Sequence, residues 1–240
     1  MNNPSAYKPR IKIFADGADR ASILGMAQNP AIQGFTTNPT LMKQAGVTDY
    51  KSFCKQLLAE ITEKPISFEV FADDFAEMQR QALEIASWGK NVYVKIPITN
   101  STGASSIPLI RKLAKSVQLN LTALFTMKQV EDTCQAIKGG APAVVSIFAG
   151  RVADSGVDPE PLMKQASALC AAISPRAELL WASTREVFNI VQAERSGCQI
   201  ITVTPDLIKK MATFGKDLNQ FSLETVQMFK RDAEVAGYTL

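Results

Sequence analysis

The chain has 240 residues, 46% hydrophobic and 20% charged, a globular composition long enough to bury a sizeable core in one large domain or two small ones. Its 26 basic and 23 acidic residues give a net charge of +3 with no long run of either sign, which argues against a nucleic-acid or membrane surface and is compatible with a small anionic ligand. Histidine is absent, so Ser-His-Asp and Cys-His triads, a histidine base and histidine metal ligation are excluded.

The first ten residues, MNNPSAYKPR (1–10), read as a polar tail without the apolar core of a signal peptide, and no apolar run approaches the length of a membrane span. Cys54, Cys134, Cys170 and Cys198 are widely spaced and form no C-x-x-C pair, so neither a zinc site nor a disulfide framework is expected. This cysteine usage fits a soluble protein of the reducing cytoplasm. Eight β-rich runs follow in order: IKIFAD (11–16), IQGFTT (32–37), ISFEVF (66–71), NVYVKIPI (91–98), LNLTALF (119–125), AVVSIFAG (143–150), ELLWAS (178–183) and QIITVTP (199–205). Between them lie segments of helical spacing such as DFAEMQRQALEIASWG, TMKQVEDTCQAIKGG and PLMKQASALCAAIS, several of which close on Gly or Pro.

Strand and helix alternate eight times within about 200–250 residues, the size and rhythm of an α/β (β/α)8 TIM barrel, whose site lies at the C-terminal ends of its strands. An open doubly wound sheet is the alternative, but FADGADRASILG lacks the G-x-G-x-x-G fingerprint that many such sheets carry after strand one. No linker or repeat interrupts residues 1–240, so a single barrel domain is expected. Residues 217–240 form a C-terminal helical extension in which Phe221, Val226 and Phe229 call for cover, from the barrel or from a neighbouring subunit; an ordinary capping helix reads the same way.

Residue parity carries the argument to a site, because barrel strands alternate between interior and helix layer. In strand four Val92, Val94, Ile96 and Ile98 share one face, so Lys95 points inward with Tyr93. In the same way Ser67 and Glu69, Asn120 and Thr122, and Ser146 and Phe148 oppose apolar partners. Asp16, Asn38 and Ser183 at strand ends complete a polar ring around Lys95. A strand lysine is usually an edge residue in water, which the flanking β-branched run denies here. Asp16 and Glu69 read equally well as acid/base groups or as partners that neutralise a buried charge. A lysine amine in a partly desolvated pocket attacks ketones and forms Schiff bases, and carboxylates can move the required protons without histidine.

These residues resemble the transaldolases, in length the small-subunit branch that also holds the fructose 6-phosphate aldolases. FADGAD is similar to that family's first-strand aspartate motif, GFTTNPTL to its signature after strand two and VYVKIPIT to its Schiff-base strand, with LNLTALF, SIFAGR and WASTRE following in the family's order. The resemblance implies that Lys95 is the nucleophile, that Asp16 takes the proton of the substrate C4 hydroxyl, and that Glu69 works through a water shared with Thr122. It implies further that Asn38 and Asn120 bind the dihydroxyacetone portion, that Thr36, Ser146 and Phe148 line the pocket, and that Arg151, Ser183 and Arg185 hold a phosphate. Arginine suits phosphate through its planar fork, although two surface charges are the plainer reading. The aldolases carry glutamine and tyrosine at the positions of Glu69 and Phe148, so the resemblance is closest to transaldolase proper. It implies no cofactor and no metal, sugar phosphates as partners, and a homo-oligomer. Thr184 stands where the family often has an aromatic; its parity, opposite to Ser183, points to local packing rather than chemistry.

Overall fold

The computed structural model describes residues 7–17 and 19–240. Residues 1–6 of the expected polar tail, and Ala18 within FADGAD, lie outside the described residues. The described residues fall into two compact units, one spanning Pro9–Ile208 and one made of residues 7–8 with Lys209–Leu240.

The first unit runs β1 (Lys12–Asp16), α1 (Arg20–Ala27), β2 (Ile32–Thr36), α2 (Pro39–Gln44), α3 (Tyr50–Glu60), β3 (Ile66–Glu69), α4 (Phe75–Ala86), β4 (Val92–Pro97) and α5 (Ile107–Leu113). It continues with β5 (Leu119–Leu124), α6 (Met127–Ile137), β6 (Ala143–Ile147), α7 (Ala149–Asp154), α8 (Glu160–Ile173), β7 (Ala177–Trp181), α9 (Asn189–Arg195), β8 (Ile200–Val203) and the first residues of α10 (Pro205–Lys210), which runs on past Ile208. The eight strands are parallel and pair in chain order, and β8 returns to β1, so the sheet is a closed TIM barrel rather than an open doubly wound sheet. Closure gives every strand a paired neighbour on each side.

Alternation places the side chains as the pattern requires. Val92, Val94 and Ile96 of β4 are buried on the helix side, while Tyr93 packs inside the barrel against Phe14, Val144, Leu180, Ala182 and Ile200. This apolar plug closes the barrel below the polar strand ends. On the opposite face, several helices start on side-chain caps in the βα loops. Asp19 accepts from Ser22 N (2.7 Å), Asp74 from Glu77 N (2.9 Å), and Thr126 opens α6 with a capping box.

Strand ends differ from the sequence expectation where the backbone turns early. The run expected over 143–150 stops at Ile147, because Phe148 leaves the extended region (ψ 59°) and α7 begins at Ala149. The run expected over 178–183 stops at Trp181, and Ser183 sits at φ 65°. In β5 the register slips between Leu121 and Leu124, with Ala123 at φ 61°. Non-glycine residues adopt this left-handed region uncommonly, and when they do the surrounding structure holds them there.

In the second unit, α11 (Leu218–Ala236) starts on Asp217, whose carboxylate accepts from Gln220 N (2.9 Å), and ends on Gly237 at φ 67°. Lys216 pairs with Glu224 and lies 4.4 Å from the Phe221 ring, and Tyr7 meets Phe214 edge to face at 5.3 Å. Among the described residues no helix is long and apolar enough to cross a membrane.

Candidate active site

The C-terminal strand ends enclose a cavity of about 440 Å³. All twelve side chains singled out from the sequence line it: Asp16, Thr36, Asn38, Glu69, Lys95, Asn120, Thr122, Ser146, Phe148, Arg151, Ser183 and Arg185. They come from seven strands or the segments that follow them, Arg151 from α7, so only barrel closure brings them together.

Lys95 stands at the centre, 8% exposed. Its Nζ donates to the Thr37 carbonyl at 3.0 Å and lies 3.2 Å from Glu69 Oε2. Strand pairing sets this arrangement, since β3 and β4 put Glu69 directly opposite Lys95, and β4 and β5 put Lys95 opposite Asn120. Leaving a buried ammonium without such partners would be strongly unfavourable.

Asp16 occupies the adjoining wall, opposite Thr36 in the β1–β2 register. Thr36 Oγ1 donates to Asp16 Oδ1 at 2.8 Å and is itself hydrogen-bonded to Thr202 Oγ1. Burial pushes the Asp16 carboxyl above its ordinary value; the Lys95 charge and the Thr36 hydrogen bond pull it back only in part. A carboxyl beside the lysine is placed to take up a proton and to return it.

A second polar chain crosses the floor. Ser146 Oγ donates to Asn120 Oδ1 (2.7 Å), and Asn120 Nδ2 donates to Ser67 Oγ (2.9 Å), which fixes the orientation of the Asn120 amide. Asn38 caps α2 through Oδ1, accepting from Leu41 N at 2.9 Å, so its amide nitrogen is the group left to serve a ligand. Thr122 Oγ1 is buried and has no hydrogen-bond partner among the described residues. A buried hydroxyl at a cavity wall is costly unless a ligand or water satisfies it.

The rim is cationic. Arg151 stacks its guanidinium 5.1 Å from the centroid of Phe148. Arg185 grips Asp154 through Nε, 3.0 Å from each carboxylate oxygen, and through Nη2 at 2.5 Å. Asp154 is held below the usual carboxylate range chiefly by that bond, and Arg185 is raised by the same contact. Between the arginines the backbone is tightly nested: a Cβ added to Gly150 would lie 1.6 Å from the Ser183 carbonyl oxygen. Only glycine permits that approach.

Several lining residues escaped the sequence reading. Thr202 and Thr184 line the cavity, and Thr184 Oγ1 donates to the Thr202 carbonyl at 2.6 Å. Thr202 shares the inward parity of Ile200 and was open to the same argument. Thr184 was placed by extending strand alternation past Trp181, where the positive φ of Ser183 has already broken it. The Thr37 carbonyl leaves no side-chain signature at all.

A family model described as Transaldolase/Fructose-6-phosphate aldolase matches residues 13–239. A protein of Dehalococcoides mccartyi named "Probable transaldolase" is 36% identical over 202 residues, covering 84% of this chain and 90% of the relative. Proteins of the same name from Streptococcus equi subsp. zooepidemicus and Streptococcus pyogenes are each 31% identical over 201 residues, again 84% and 90% of the two chains. The chain belongs to the transaldolase/fructose-6-phosphate aldolase family.

Proposed function

We propose that the protein is a transaldolase that moves a dihydroxyacetone unit from a ketose phosphate, such as fructose 6-phosphate or sedoheptulose 7-phosphate, to an aldose phosphate through a Schiff base on Lys95. The observation that carries this reading is one buried amine, Lys95 Nζ, 3.2 Å from the Glu69 carboxylate in a cavity that also holds the Asp16 carboxyl.

The chemistry follows from those positions. The Lys95 amine attacks the ketose carbonyl, and the carbinolamine loses its hydroxyl as water, with the proton supplied from Glu69 through a water resting on the Thr122 hydroxyl. Asp16 then takes the C4 hydroxyl proton. The C3–C4 bond breaks, its electrons flow into the iminium, and the aldose phosphate departs, leaving an enamine on Lys95. An acceptor aldehyde enters, the enamine carbon attacks it, and Asp16 returns its proton to the new alkoxide. Hydrolysis of the imine frees the product ketose and the amine. The protonated imine is itself the electron sink, so the reaction calls for no cofactor and no metal.

Asn38, Asn120 and Ser146 offer the polar contacts that a dihydroxyacetone unit needs, with Thr36 beside them. Arg151, Ser183 and Arg185 form the phosphate end, where Arg185 exchanges Asp154 for phosphate oxygens. Phe148 brings a ring without a hydroxyl to the site. With no proton donor there the enamine is protected from release as free dihydroxyacetone, which favours transfer over simple aldol cleavage.

The four free, buried thiols support a reducing cytoplasm as the compartment. A homo-oligomer is supported by α11, on which Leu218, Leu223, Val226 and Phe229 are each more than half exposed. To test the assignment, fructose 6-phosphate is added with borohydride and the modified residue is mapped by mass spectrometry. A three-carbon adduct on Lys95, together with loss of turnover and unchanged circular dichroism in Lys95→Met, is the expected outcome. An adduct on another lysine, or transfer by Lys95→Met, contradicts it.

A further inference from the structure

The end of β3 carries Glu69, yet β2 supports β3 at only two positions, Phe35 opposite Ile66 and Thr36 opposite Ser67. Past Thr36 the chain turns toward α2, and no strand remains beside Glu69 on that side. The main-chain N–H groups of Ile66 and Val70 donate toward β4, to Asn91 O (3.0 Å) and Lys95 O (3.1 Å). By alternation, the main-chain groups of Ser67 and Glu69 face the gap left by β2.

Two hydroxyls fill that gap. Thr37 Oγ1 donates to the Ser67 carbonyl at 2.9 Å. For Glu69 the substitute is Tyr50, the first residue of α3: its hydroxyl accepts from Glu69 N at 2.9 Å and donates to Glu69 O at 3.1 Å. One side-chain oxygen thus takes both roles of an absent strand. Burial holds the Tyr50 hydroxyl far above the usual phenol range, so it keeps the proton it must donate. The ring is fixed by Phe71 at 4.4 Å, Phe68 at 6.4 Å and Trp88 at 6.2 Å between centroids.

We propose that Tyr50 is a positioning residue of the reaction: its hydroxyl clamps both main-chain groups of Glu69 and thereby keeps the Glu69 carboxylate in register with Lys95. The inference rests on the reading that Glu69 moves protons for the Lys95 imine. Positional shifts of about 1 Å matter at such a site, because the shuttle must stay within hydrogen-bond reach of its target.

Tyr50→Phe retains the ring and its packing and removes the hydroxyl, which besides the clamp touches only the Cys54 thiol. Transfer kinetics and the rate of borohydride trapping with dihydroxyacetone are measured for wild type, Tyr50→Phe, Glu69→Gln and the double variant. The expected result is a fall of about tenfold in kcat and in trapping rate for Tyr50→Phe, with KM for the ketose phosphate within about twofold. In the Glu69→Gln background the same change costs less than about twofold, since no carboxylate is left to position. Unchanged kcat and trapping rate, or an equal fold-loss in both backgrounds, overturns the proposal and leaves Tyr50 as packing alone. Absence of any trapped adduct in the wild type would instead remove the Schiff-base reading on which the proposal stands.

Discussion

On the proposed mechanism Lys95 acts through its neighbours, and those neighbours make separable predictions. The Thr36 hydroxyl stabilises the Asp16 carboxylate against the burial that raises it. Thr36→Val removes a donor to the charged form, so the Asp16 pKa moves further up. On the proposed mechanism Asp16 must be ionised to take the C4 hydroxyl proton, and the acid limb of kcat/KM therefore shifts to higher pH. A pH–rate profile checks this; an unmoved or lowered limb counts against Asp16 as the base. Gly150→Ala drives a methyl into the Ser183 carbonyl, with only 1.6 Å available, and must separate α7, which carries Arg151, from the β7–α9 loop, which carries Arg185. The expected cost is about 1–3 kcal/mol of stability, with a raised KM for phosphorylated substrates, measured by thermal melts and steady-state kinetics. At this scale the sequence was most readable where backbone was regular. Lys95, Glu69 and Asn120 follow from strict alternation, whereas Thr184 was misplaced because nothing in the residues around Ser183 announces a left-handed backbone.

Among the elements, α2 joins fold to site through a single side chain. Asn38 Oδ1 caps the helix at Leu41 N, and the same amide presents its nitrogen to the cavity. Asp caps a helix as well as Asn does but offers no N–H. Asn38→Asp is therefore expected to keep the melting temperature while transfer falls, and Asn38→Ala to lose activity together with about 1 kcal/mol of stability. Equal melting and kinetic behaviour of the two variants would show that the cap and the ligand contact are not separable. Strand and helix existence was legible from period and punctuation, and α4, α6 and α8 fall within a few residues of the segments read from the sequence. The supports of β3 were not legible. Tyr50 lies nineteen residues before Glu69 on a helix, and only the early end of β2 makes its hydroxyl necessary.

Over the whole molecule, the closed barrel explains why a polar ring with a lysine at its centre can persist inside an apolar protein. The plug around Phe14, Val144, Leu180 and Ile200 seals one end, and the βα loops hold the other open to ligand. The same burial accounts for the thiols: Cys54 and Cys198 are pushed up to about 12 by desolvation, and all four cysteines are buried. Native protein is expected to resist a thiol reagent at neutral pH, and all four thiols to react once it is denatured; rapid labelling of native protein would contradict the packing. Barrel architecture was readable because eight alternating units leave few closed solutions, and histidine's absence narrowed the chemistry to lysine and carboxylates. The most direct test of transfer through Lys95 is release of glyceraldehyde 3-phosphate from fructose 6-phosphate, measured with and without erythrose 4-phosphate. Turnover that requires the acceptor is the expected result; equal turnover without it would mean that Phe148 does not protect the enamine and that the protein is an aldolase.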